Sequence, residues 1–414
     1  MFTRFSELNR RAGRYVTVSI MSIGALSLAA SPAVAQGTSR AGAKPFAGQV
    51  IARVVYDSNV SRGSQAVATA RTLRQDDILY SPSARIDLNL PFAGQNFFLN
   101  GTVGYEFYQY NKMLQRERVD LLAGAAGQLG PCGTTATVSY SRRQSDLADL
   151  LLTVTTNVQD QLTLAAQASC AVAPGLSGNL GVQSGKTTSS APGSGVVDSN
   201  LKSVNAGVSY QNATLGSIGI LASYSKNDYA QLPGSPVANS TGFSSYSAGL
   251  TYGRPIGNRL QGQVSVFYSD TQSSGSNPET FTGLTGSGAL TYRASSRLQS
   301  SLSYGRTISS TIQQGSSYSV TENVQLDGRY SLSSRLKTGI GASWSRRSYR
   351  GGAAALQSSR IANEERQALF GSLSLQVGRN ASLATDIRYE VRNTNLTIFD
   401  YKAVRVGLTA TQSF

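Results

Sequence analysis

The chain contains no histidine and two cysteines. Histidine is the usual base in nucleophile–base hydrolases, so lipase, deacylase and protease arrangements of that kind cannot be built from it. A zinc site has too few nitrogen and sulfur ligands. The stretch GVQSGKTT, 181–188, carries three residues between its glycines where a phosphate loop needs four, and it alternates like a strand. No catalytic residue, metal or cofactor is expected, and the chain reads as a non-enzyme. The remaining chemistry is that of charge and sulfur.

The charges sit at every second position. Asp386, Arg388, Glu390 and Arg392 alternate with Leu383, Thr385, Ile387, Tyr389 and Val391. The same period places Arg85, Asp87, Glu106, Lys337 and Arg405 on the polar side of their segments. One reading is a solvated ion-pair ladder that stiffens a wall. The other is a set of charges lining a pore and setting its selectivity. Arg346, Arg347 and Arg350, beside Tyr349, look like an outer patch for lipopolysaccharide phosphates. Cys132 lies in a Gly-Pro turn and Cys170 ends a later segment. In an oxidising compartment they are expected to form a disulfide at one hairpin base if their Cα atoms come within ~7 Å. The rival is a pair of unbonded small residues.

These faces exist only if the segments are strands. The composition agrees: 14% charged, 40% hydrophobic, 42 Gly and 20 Tyr, which is rich in β and turn formers. Residues 1–35 read as a signal peptide. Arg4, Arg10, Arg11 and Arg14 precede an apolar run, and Ala33-Val34-Ala35 supplies the cleavage motif, making Gln36 the expected mature N-terminus. Its removal takes away four arginines and Glu7, leaving 33 Lys+Arg and 21 Asp+Glu, a net +12. No other segment has the ~18 continuous apolar residues of a membrane helix.

Short turn signals recur about every 40 residues, at PFAGQ, GPCG, APGL, QNATLG, RPIGN, ASSR, SSR and GRNA. Longer Gly-, Ser- and Asn-rich stretches alternate with them, such as 58–73, 188–200, 227–239 and 349–361. Strand, long loop, strand, short turn is the layout of an outer-membrane barrel, with its short turns in the periplasm.

Aromatic residues mark two levels. Tyr210, Tyr252, Tyr292 and Tyr330 precede short turns. Tyr105, Tyr140, Tyr224, Tyr268, Tyr304, Trp344 and Tyr389 follow them by several residues. Eight tilted strand residues rise about 20 Å, close to the ~25 Å apolar band that two aromatic girdles enclose. A soluble sandwich, with strands of ~5–6 residues, has no use for either feature.

The expected fold is therefore all-β: a transmembrane antiparallel up-and-down barrel of about 18 strands, or 16 as the second choice. Residues 36–46 would be a short periplasmic segment and 47–414 the barrel. Both termini would be periplasmic, in the outer membrane of a Gram-negative bacterium. The ending VRVGLTATQSF alternates out to Phe414, which is expected to act as a signal for the barrel-insertion machinery. No nucleic-acid partner is expected.

The first strand and its loop, with Tyr56-Asp57-Ser58-Asn59-Val60 followed by RQDDILYSPSARIDLNLPF, resemble the putative β-barrel porins of type 2, a family of Gram-negative outer-membrane proteins. Asp57 and Asn59 read as an Asx-turn; a Ca²⁺ site with Asp76 and Asp77 is the alternative. The resemblance implies passage or secretion of polysaccharide. The expected function is a channel for anionic saccharides or small anions. The rival is a surface-display barrel whose loops bind partners and whose lumen is closed.

Overall fold

The computed structural model describes residues 45–147, 156–190, 198–230, 242–274, 279–311, 316–350 and 361–414. The expected signal peptide, the Ala35–Gln36 junction and parts of several long loops lie outside the described residues. Eighteen strands form one sheet. The first nine are β1 (Phe46–Asp57), β2 (Asp77–Phe92), β3 (Gln95–Tyr108), β4 (Arg116–Leu129), β5 (Cys132–Gln144), β6 (Val158–Ala173), β7 (Leu176–Ser189), β8 (Ser199–Asn212) and β9 (Gly216–Tyr229). The rest are β10 (Gly242–Ile256), β11 (Leu260–Ser274), β12 (Thr280–Arg293), β13 (Leu298–Ser309), β14 (Tyr318–Ser331), β15 (Leu336–Arg350), β16 (Asn363–Gln376), β17 (Ala381–Thr394) and β18 (Tyr401–Ser413). Each pairs antiparallel with the next, and β18 pairs with β1, from Gln49↔Ser413 to Asp57↔Arg405. No edge is left, as a sheet in lipid requires.

The period of two decides which way each side chain points, and cross-strand partners share a face. Outward rows such as Tyr56–Val406–Ile387 are apolar, and inward rows such as Asp57–Arg405–Arg388 are polar. Phe267 interrupts the polar alternation of β11, and the structure explains it. It points inward and lies over Gly249 of β10, where there is no Cβ to displace it. Short turns join β2 to β3 and every second pair thereafter. At the first, Ala93 (φ 51°) and Gly94 (φ 77°) both take positive φ, the geometry whose twist suits a two-residue hairpin.

Little core lies within the wall itself. Most of the buried apolar groups sit at the loop end. Helix α1 (Gln65–Ala70), in the β1–β2 connection, packs Val67 against Tyr349, Ile361 and Phe399. A second cluster joins Tyr229, Phe243, Tyr318 and Val320, and the Tyr229 hydroxyl donates to the Ser317 carbonyl (2.6 Å). These contacts fold the first connection inward over the mouth and hold Thr311 and Ser317, beside the β13–β14 connection, against Tyr229 of β9. Cys132 and Cys170 are direct cross-strand partners near the short-turn end. They form a disulfide with Cα atoms 3.9 Å apart, tying the foot of β5 to β6.

Candidate functional site

The inward face carries charge in i, i+2 pairs, because alternate residues are neighbours on one side of a strand. Arg85 bonds Asp87 (3.1 Å), Arg118 bonds Asp120 (3.1 Å) and Arg388 bonds Glu390 (3.0 Å). Arg53 of β1 reaches past β18 to Asp386 of β17 (3.0 Å), across Gly407, which has no side chain to block the path. These groups are half-exposed and face the lumen. Glu106 points inward opposite Arg116, and Lys337 points inward near the short turns, apart from the rest.

At the loop end the charges converge. Asp57 accepts from Arg62 (2.5 Å) and from Arg405 (3.1 Å). Arg62 also lies over the Tyr401 ring, and the Tyr401 hydroxyl donates to Glu390 (2.6 Å). Glu364 gathers Arg347 (3.4 Å), Arg366 (3.3 Å) and Arg392 (Nε at 2.9 Å). Arg366 extends to Asp146, which follows β5 and so comes from the far side of the mouth (3.3 Å). Arg71, after α1, is 1% exposed and donates to the Ser61 carbonyl (2.8 Å). Seven arginines (62, 71, 347, 366, 388, 392 and 405) thus meet four carboxylates (57, 146, 364 and 390).

Two loop arginines respond differently to this setting. Burial disfavours the charge on Arg62, but Asp57, Tyr401, Asp146 and Glu390 outweigh it and raise its pKa. Burial pushes Arg71 down to about 10, and the like charge of Arg392 adds to the shift against Asp146. Arg71 therefore keeps its charge at neutral pH at a cost.

The register turns all nine of the charged residues singled out above inward, but they are not one group. Arg388, Glu390, Arg392 and Arg405 join the mouth cluster. Arg392 is a correction to a pore-lining role: it is 0% exposed, locked onto Glu364 and shut off from lumen water. The proposed rim patch also needs correction. Arg346 faces outward between Glu322 and Glu365, whereas Arg347 turns inward to Glu364 and Tyr349 is buried under the first loop. Asp57 and Asp77 are cross-strand partners, but Asp57, Asn59, Asp76 and Asp77 do not gather as one ligand set, because each is committed elsewhere. The Asn59 amide donates to Asp57 in an Asx-turn (3.0 Å), Asp76 takes Arg74, and Asp77 accepts from the Tyr110 and Asn111 amides. Sequence reasoning missed Arg62, Arg71, Asp146, Glu364 and Arg366. Alternation in NEERQ would have found Glu364 and Arg366; the loop residues have no period to betray them.

The outward face carries the aromatic residues. Tyr105, Tyr140, Tyr210, Tyr224, Tyr252, Tyr268, Tyr292, Tyr304, Tyr330, Trp344 and Tyr389 all share the face of the apolar rows. Just above the upper series runs a charged outer belt, with Arg142 between Glu117 (2.7 Å) and Asp160 (3.1 Å), and Arg306 on Glu322 (3.3 Å).

Solved barrels resemble this one only distantly. Pseudomonas aeruginosa OccK2 (OpdF) is 10% identical over 89% of this chain and 98% of its own, with a TM-score of 0.49. The P. aeruginosa outer membrane protein opdK is 10% identical over 89% and 99%, with a TM-score of 0.48. Acinetobacter baumannii OccAB3 is 10% identical over 89% and 99%, with a TM-score of 0.47. The strand count and closure rest on the chain's own pairings and not on these likenesses. No curated protein matches the chain. Residues 235–414, somewhat under half of the chain, match the family described as "Putative beta-barrel porin 2", the family that the first strand and its loop resemble, and this match agrees with the closed 18-stranded sheet in pointing to a porin-like β-barrel of the Gram-negative outer membrane.

Proposed function

We propose that the barrel is a water-filled channel rather than an enzyme and that it favours anionic solutes, namely acidic saccharides or small anions. A barrel of 16–18 strands encloses an aqueous lumen. The observation that carries the reading is the excess of arginine over carboxylate within the ion-pair cluster at the mouth. In a narrow, low-dielectric passage such an excess concentrates counter-charge. The family resemblance adds exopolysaccharide export as the physiological setting, and polysaccharide genes beside this one would support it. Cleavage after Ala35, periplasmic termini, residues 36–46 as a periplasmic lead-in and use of the barrel-insertion machinery belong to the same reading. N-terminal sequencing of the membrane-embedded protein checks the first of these.

The inward-folded first connection favours a second reading, a closed surface-display barrel with partner-binding loops. Planar-bilayer recording separates the two. The channel reading expects steady conductance and an anion-selective reversal potential in a salt gradient. Charge reversal at Arg388 and Arg405, which are cross-strand partners with side chains 38% and 41% exposed, moves that potential toward cations. An unmoved potential takes these residues out of the conducting path, and no conductance from folded protein favours the closed barrel.

A further inference from the structure

The outer surface of the barrel carries an apolar concavity on its β2–β8 side. It is an apolar furrow of about 880 Å³ crossing β2 to β8. Its axis is one row of cross-strand partners, running from Leu88 on β2 through Ala123, Val138 and Leu164 to Lys202 on β8. The row climbs because the strands tilt, so it starts near the short turns and ends near the loops. In the next row down, Ala136 and Ala166 leave unfilled the space that the larger side chains of the same rows occupy.

The upper end is cationic. Lys202 lines the furrow, and its direct partner on β9 is Lys226. Lys186 on β7 stands two residues past Ser184, the partner of Lys202. Like charges facing each other across strands are destabilising. Asp228 bonds Lys226 (3.1 Å), which leaves the trio with a net positive charge. Tyr224, of the upper aromatic series, sits two residues below Lys226 on the same face. The lysines therefore stand at headgroup depth and the furrow at acyl-chain depth.

We propose that this furrow is a binding site for a phosphorylated, acylated lipid of the outer leaflet, with an acyl chain along the Leu88–Leu164 row and a phosphate among Lys186, Lys202 and Lys226. The inference rests on the outer-membrane reading and is independent of whether the lumen conducts. Charge complementarity selects the occupant: an apolar slot capped by three cations fits an anionic amphiphile and neither a neutral lipid nor a protein helix.

Native mass spectrometry of the detergent-purified full-length barrel, titrated with bisphosphorylated lipid A, tests it. One lipid per barrel is expected to survive detergent exchange. The triple variant K186Q/K202Q/K226Q should bind about tenfold more weakly, as loss of charge-assisted bonds implies. A136L/A166L, which fills the furrow, should also weaken binding, while K402Q, an outward lysine on β18, should not. Equal binding by the triple variant, an equal loss in K402Q, or equal binding of lipid A stripped of its phosphates would each overturn the site. Heat-modifiable gel migration confirms folding, and K202Q alone serves if the triple variant fails to fold. Bilayer conductance of the same variants is expected to be unchanged, which separates this test from that of the channel.

Discussion

Glu364 lies within 3.4 Å of three arginines, from β15, its own β16 and β17. It is the keystone of the mouth cluster, because without its charge Arg347, Arg366 and Arg392 repel one another with little solvent to screen them. Glu364→Gln is expected to destabilise the barrel by about 3–5 kcal/mol, the range for breaking a buried ion pair, read as a lower urea midpoint for loss of the folded band. Arg71 makes the complementary case. Its pKa falls from the ordinary guanidinium value to about 10. Below about 10 both folded and unfolded chains hold the proton, so the folded state bears a constant cost there. As pH rises above about 10 the folded chain releases the proton before the unfolded one does, and that cost is relieved. The anion preference is accordingly expected to be flat from pH 7 to 9 and to decline above about 10, as reversal potentials across that range would show.

Among elements, β18 is the one whose failure opens the barrel. Its pairing with β1 is continued by Phe414 and Gly48, which exchange backbone hydrogen bonds (3.0 and 3.2 Å). The Phe414 ring lies outward over Gly48, which has no Cβ to displace it. Removing Phe414 deletes both bonds and the ring at the closing seam. The expected result is a lower level of inserted protein with unchanged conductance per inserted channel. Normal membrane levels of the truncated chain would refute it. The strand layout itself was legible, since turn chemistry and period two mark the ends of each strand. The 16-strand alternative arose around residues 145–200, where Ala, Ser and Thr occupy both faces of β6 and blur the alternation.

For the whole molecule, the mouth matters more than the wall. The first connection crosses over β16–β18, with Ser64 donating to the Ile398 carbonyl (3.0 Å) and Arg62 stacked on Tyr401. Replacing residues 62–73 with a short Gly-Ser linker would remove this cover along with two of the seven arginines. Single-channel conductance is expected to rise and anion preference to fall; a rise in neither would mean that this loop does not narrow the path.

Alternation and turn spacing by themselves pointed to the closed all-β barrel of about 18 strands, the two aromatic levels and the inward face of the nine charged residues singled out from the sequence. Each of these follows from a local rule that a strand obeys whatever surrounds it. Only the tertiary structure decided that Arg392 is sealed away while Arg388 meets water, that Asp57 serves two arginines instead of a metal, and that Lys186, Lys202 and Lys226 come together. Those outcomes depend on which strands become neighbours, at what shear, and on loops with no period that fold back across the lumen. Contacts such as Asp146–Arg366, separated by 220 residues, are written in no local pattern.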